Sequence, residues 1–221
     1  MGDEAQEMIL SGYSDSSTAF HPGDVQAVCF GIPRSASTFV WQFTRDLLGD
    51  GVIKTHSFLD VVAPVVATIR DPRDVVVSYW RWQGMLGDPT REDLIRLAGL
   101  CRVWYWTLDR YVDRGPVLVL EFADLVRHPW MWCREVCKHV GKMQDDQWIK
   151  DVSDRYSLAA NRRRQEQVTG QEPVDEIHRE HCHEARPGTW RGFVHGDDRL
   201  LLTTLLDEPL TKWGYTIDDE I

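Results

Sequence analysis

The segment GIPRSAST, residues 31–38, sets one cation, Arg34, among the hydroxyls of Ser35, Ser37 and Thr38 and the small residues Gly31 and Ala36. Backbone N–H groups and hydroxyls at the start of a helix can hold a phosphate. Counted from Gly31, the spacing is that of the nucleotide-triphosphate loop G-x-x-x-x-G-K-[ST], with Ala36 and Ser37 in place of its second Gly and its Lys. The lysine that grips the β and γ phosphates is missing, which weakens the case for ATP hydrolysis. Taken alone, the segment also reads as a plain strand-to-helix turn.

Two further groups carry chemistry. Arg70, at the end of an apolar run, and Ser78, about two helical turns later, could grip one phosphate from different elements. Arg73 and Asp74, between them, read as solvated charges at a helix start. Lys54-Thr55-His56 closes another short apolar run. Neutral imidazole titrates in the range useful for taking a proton from a hydroxyl, and Arg34 and Lys54 could offset charge on a leaving oxygen. A lone histidine is more often structural, so His56 gains its weight from following the 31–38 loop.

The elements that must position these residues follow from periodicity. Residues 25–32 are nearly continuously apolar, as in a strand buried on both faces, and Phe39, Val40, Phe43 and Leu47 form a helical stripe that stops at Gly49. Strands are expected to end at His56 and Arg70, with a fourth over 116–122. Asp71 and Pro72 suit the start of a helix, another helix is expected over 90–113, and an amphipathic helix over 197–213. The alternation predicts an α/β fold, a parallel sheet flanked by helices, with ligands beyond the carboxyl ends of its strands. Trp104 and Trp106 differ by about 200° around a helix, so they do not both face the core easily, and one of them is available either to line a ligand pocket or simply to pack.

Composition narrows the partners. The chain has 221 residues, enough for one well-cored domain, and its 25 Lys+Arg against 35 Asp+Glu leave a net charge of −10. That balance disfavours nucleic acid and anionic membrane as general partners, so an anionic ligand needs a local cluster of cations. No apolar run approaches the roughly 20 residues of a spanning helix, and the acidic start is unlike a signal peptide; a cytoplasmic protein with reduced cysteines is expected. Residues 1–23 read as a flexible lead-in and 24–221 as a single domain with a mobile loop around 159–185. HREHCH, with His178, His181, Cys182 and His183, lacks the paired partner motif of a zinc site.

PRSASTF, IKTH, IRDPRDVVVSY, LEFADLVRHP and RPGTWRGF occur in that order across residues 33–193. Together they resemble the sulfotransferases that use 3′-phosphoadenosine 5′-phosphosulfate. The resemblance implies a P-loop-like three-layer sandwich and transfer of a sulfuryl group, without a metal, to a hydroxyl or amine of a small-molecule or bulky acceptor. It puts Arg34 beside the bridging oxygen, Ser35, Ala36, Ser37 and Thr38 around the 5′-phosphate, and Phe39 and Phe122 near the adenine. It puts Arg70, Ser78, Arg186, Gly188 and Arg191 at the 3′-phosphate, and makes His56 the base, with Lys54 assisting. Trp190 is either a packing anchor or a ligand contact. The interval from Phe39 to Lys54 is short, which implies either an open acceptor site or a pocket completed by the 159–185 stretch. A P-loop-type small-molecule kinase and a non-catalytic adenosine-bisphosphate-binding protein remain as alternatives.

Overall fold

The computed structural model describes residues 22–167 and 186–217. Its centre is a four-stranded sheet of β1 (Ala27–Gly31), β2 (Val52–Thr55), β3 (Val65–Ile69) and β4 (Val117–Glu121), in the order β2-β1-β3-β4. Every neighbouring pair is parallel. The three inner registers explain the apolar runs: β1 and β3 are buried along their whole lengths because helices cover both faces.

One face is covered by α1 (Ser37–Leu48), α5 (Pro129–His139) and α6 (Asp146–Arg155), whose Phe43, Trp132 and Ile149 pack with Cys29 and Val66. The other is covered by α2 (Pro72–Trp82), α3 (Arg91–Arg114) and α8 (Asp197–Leu205), whose Val76, Tyr105 and Leu202 pack with Phe30 and Ala67. A short α4 (Phe122–Arg127) follows β4 directly, and α9 (Asp207–Lys212) is the last helix of the described chain. The expected three-layer α/β sandwich is thus present.

Two expectations of element extent change. Residues 159–167, the first part of the stretch read as a loop, belong to a helix, α7 (Leu158–Gln167). It has no apolar stripe because only Ala160 and Asn161 are buried; Ala, Arg, Gln and Glu still favour the helix intrinsically. Asn161 fastens it by donating to Gln42 Oε1 at 3.0 Å. The expected 197–213 helix is broken at Leu206 into α8 and α9. The rest of the 159–185 stretch, the HREHCH cluster with Cys182 and the lead-in up to residue 21 lie outside the described residues. Cys29, Cys101, Cys133 and Cys137 are free, buried thiols.

A candidate active site at the switch of strand order

From β1 the chain passes to β2 on one side, while β3 lies on the other, so the strand order changes direction between β1 and β3 and a crevice opens beyond their carboxyl ends. The 31–38 loop and Arg70 meet there: Arg70 Nη1 donates to the Arg34 carbonyl at 3.2 Å. Arg34 and Ala36 both adopt left-handed backbone, φ 69° and 68°, a strained choice for residues with a Cβ. The turn this creates brings Ser37 hard against Gly31, where a Cβ would lie 2.1 Å from Ser37 Cβ. Gly31 is therefore required by close approach.

Helices α2, α3 and α6 are capped by the side chains of Asp71, Thr90 and Asp145, whereas α1 starts at a cap residue, Ala36, whose side chain cannot accept a hydrogen bond. Its Ser37 and Thr38 N–H groups lie where the helix supplies no acceptor of its own. Ser35 faces the other way. It is fully buried, with Oγ 2.6 Å from Thr68 Oγ1, and it also donates to the Ile32 carbonyl. Ser35 thereby pins the loop to β3 instead of offering a hydroxyl to the crevice. The signal for this was Thr68, one register step from Ile69 on the neighbouring strand, which pairs with Gly31.

His56 follows β2 directly. Its Nδ1 is 2.6 Å from the Gly31 carbonyl oxygen, and since a carbonyl only accepts, Nδ1 carries a proton, which in the neutral imidazole leaves the lone pair on Nε2. The next residues are held by Tyr111 of α3, whose hydroxyl donates to the Ser57 carbonyl at 3.0 Å and accepts from Leu59 N–H at 2.7 Å. Burial pushes the Tyr111 phenol up to about 12, so it remains a donor at neutral pH. Lys54 points to the α1 face, its Nζ 5.9 Å from the centre of the Trp41 ring.

Arg70 is 4% exposed. Its Nη2 donates to the Arg186 carbonyl at 3.0 Å and to Thr189 Oγ1 at 3.4 Å, and its guanidinium lies 4.2 Å over the Phe122 ring. Its Nε, 3.6 Å from Asp74 Oδ2, makes no hydrogen bond among the described residues. Burial lowers the guanidinium's pKa, and Asp74 works against that.

Arg73 and Asp74 are not the solvated helix-start charges expected of them: Arg73 is 1% and Asp74 0% exposed. Asp74 accepts from Gly188 N–H at 2.7 Å, Thr189 Oγ1 at 3.0 Å and Trp190 N–H at 2.9 Å, so it organises the turn Thr189–Gly192 from another part of the chain. Arg73 pairs with both oxygens of Asp71 at 3.0 and 2.8 Å, donates to the Thr216 carbonyl at 2.9 Å and lies 4.5 Å over Trp190. Local pattern shows only that charges stand at a helix start. Their burial is possible because each finds partners from the C-terminal segment. Trp190, 3% exposed, is a packing anchor.

A cavity of about 290 Å³ opens here, lined by Arg70, Phe122, Gly188, Arg191 and Tyr215 among others. Arg34 Nε donates to Ser78 Oγ at 3.3 Å on its flank. The structure thus joins Arg34, Ser78, Arg70, Phe122, Arg186, Gly188 and Arg191 in one region and ties His56 to it through Gly31. Phe39 stands apart, half-buried and edge-on to Trp132 at 4.8 Å. Trp104 is in the core, while Trp106, 44% exposed, lines a separate groove of about 260 Å³ between α3 and α9. The residues that local sequence did not reveal are Thr68, Tyr111, Asp74 and Thr189; the i,i+4 spacing of Arg70 and Asp74 was the available hint.

A model of the sulfotransferase domain matches residues 49–199, more than half of the chain. The chain belongs to the sulfotransferase family. Among curated proteins none matches it in sequence. The sulfotransferase fold is recovered in solved structures of low identity. Retinol dehydratase with androsterone and inactive cofactor PAP superposes with a TM-score of 0.64 at 13% identity, covering 91% of this chain and 83% of that one. Mouse sulfotransferase SULT7A1 with PAP gives 0.62 at 10% identity, over 95% and 90%. Retinol dehydratase with retinol and PAP gives 0.61 at 12%, over 91% and 83%. The fold is therefore the P-loop-like sandwich of the sulfotransferases. No helix among the described residues is long and apolar enough to cross a membrane.

Proposed function

We propose that this sulfotransferase moves a sulfuryl group from 3′-phosphoadenosine 5′-phosphosulfate to the hydroxyl of a small-molecule acceptor, with His56 as base. The observation that carries the reading is the bond from His56 Nδ1 to the Gly31 carbonyl, 2.6 Å long. It fixes the base, in the tautomer that can accept a proton, to the residue from which the phosphate loop starts.

The residues fit an adenosine 3′,5′-bisphosphate unit. The start of α1 at Ser37 and Thr38 and the guanidinium of Arg34 suit the 5′ end, while Arg70 and Arg191, which both line the cavity, suit a second anion across it. Phe122 floors the intervening space. When bound, the donor supplies the sulfuryl group and departs as the bisphosphate. Arg34, with Lys54 at longer range, offsets charge on the departing phosphate. His56 Nε2 accepts the acceptor's hydroxyl proton as its oxygen attacks sulfur, and the Gly31 carbonyl stabilises the imidazolium that results.

The acceptor side is short. Only residues 49–51 separate α1 from β2, so no inserted element narrows the site there. The neighbours' structures hold androsterone and retinol, and compact alcohols of that kind are the first acceptors to assay. Transfer from labelled donor, preceded by thermal shift with adenosine 3′,5′-bisphosphate, tests the reading. A chain that neither binds the bisphosphate nor transfers label to any alcohol or amine in the panel is not a sulfotransferase of this type.

A further inference from the structure

Asp74 is a fully buried carboxylate about one helical turn from a buried arginine, yet only one oxygen lies near Arg70, at 3.6 Å. Its strong bonds go elsewhere, to the N–H groups of Gly188 and Trp190 and to the Thr189 hydroxyl. That hydroxyl has two neighbours at once. It donates to Asp74 Oδ1 at 3.0 Å, and its lone pair faces Arg70 Nη2 at 3.4 Å. The hydroxyl thus bridges the carboxylate and the guanidinium, and the segment that carries Gly188 and Arg191 is tied to the end of β3 through it.

The consequence is geometric. Gly188 adopts φ 78°, and a Cβ there would meet Arg191 Nη1 at 3.0 Å, so the Arg191 side chain folds back against this turn. A buried carboxylate accepting two N–H groups and a hydroxyl is a rigid anchor, because leaving any of those donors unpaired is costly. The same carboxylate lets Arg70 stay charged in a buried place by partial neutralisation. The two guanidinium groups that line the cavity are therefore held in mutual register by one carboxylate and one hydroxyl; the Asp74 carboxylate is itself part of the cavity's lining, but its oxygens are taken up by Gly188, Thr189 and Trp190.

We infer that Asp74 and Thr189 are positioning residues through which the site distinguishes a 3′-phosphorylated adenine nucleotide from one without that phosphate. The inference rests on the proposed donor, since it gives a role to the anion at Arg70 and Arg191. Neither residue touches the nucleotide in this account. Both act through the placement of the two arginines.

The test compares binding of adenosine 3′,5′-bisphosphate with that of adenosine 5′-monophosphate, which lacks the 3′-phosphate, by calorimetry. Wild type should favour the bisphosphate strongly. Thr189→Val should weaken the bisphosphate about tenfold, the size of one lost bond to a charged group, while monophosphate affinity moves less than about threefold. Thr189→Ser should restore the preference. Asp74→Asn should lose more of it, and if that variant does not fold, Thr189→Val and its rescue carry the test. If wild type prefers neither nucleotide, the donor reading fails. If wild type discriminates and Thr189→Val keeps the full preference, or if it loses both nucleotides equally, the positioning role is overturned.

Discussion

His56 Nδ1 and the Gly31 carbonyl oxygen are 2.6 Å apart, across the paired ends of β2 and β1. A backbone carbonyl cannot donate, so in the neutral ring the contact selects the tautomer with the proton on Nδ1. His56 and the 31–38 loop cannot move independently, because Gly31 serves both.

His56→Ala should leave adenosine 3′,5′-bisphosphate affinity within about threefold of wild type and lower kcat by about 10²–10⁴, the usual worth of a positioned general base. Single-turnover transfer from labelled donor measures it. Near wild-type turnover would remove His56 from the role of base.

The loop should respond in opposite directions at two of its positions. Ala36 occupies left-handed backbone, φ 68°, so Ala36→Gly should raise stability by about 1 kcal/mol with bisphosphate binding kept. Gly31→Ala places a Cβ 2.1 Å from Ser37 Cβ and should cost about 1–3 kcal/mol as an overpacking change, with loss of binding. Urea melts of both variants decide the matter; equal effects would show that the loop geometry is not the constraint.

Arg191 is exposed, lines the cavity with Arg70 and has its guanidinium 4.8 Å from the Trp190 ring. Arg191→Ala should weaken the bisphosphate about tenfold while shifting stability by no more than about 0.5 kcal/mol, as is usual at exposed positions. Unchanged affinity would take Arg191 out of the site.

Alkaline stability should depend on Tyr111. Its phenol is raised from 10.0 to about 12, chiefly by burial, so the folded chain retains a proton that the unfolded chain releases. The associated stability is fully present below pH 10 and is lost as pH rises through about 12. Urea midpoints should fall over that window, and Tyr111→Phe should flatten the fall by up to about 1.4 kcal/mol per pH unit while lowering stability at pH 7. A variant with the wild-type slope would mean that Tyr111 titrates alike in both states.

Much of the fold was legible because its signals are local. A strand covered on both faces must be apolar throughout, as residues 25–32 are, and a Pro after an Asp at 71–72 starts a helix on chemistry held in two adjacent residues. Residues 159–167 were not legible, since α7 is held by Asn161 and Gln42, 119 residues apart, and not by an apolar stripe.

The sequence by itself determined the four strands, the helices that follow β1 and β3, the 31–38 loop, the cations that end strands and the family the motifs resemble, since each depends on neighbours in the chain. The tertiary structure decided which way those groups face. Ser35, inside the loop motif, turns to Thr68; Asp74, in a helix start, turns to Gly188 and Trp190; His56 acquires its tautomer from Gly31. Those outcomes are set by hydrogen-bond partners 25 to 116 residues away, and a buried polar group takes the partner that packing brings to it, which no local pattern encodes.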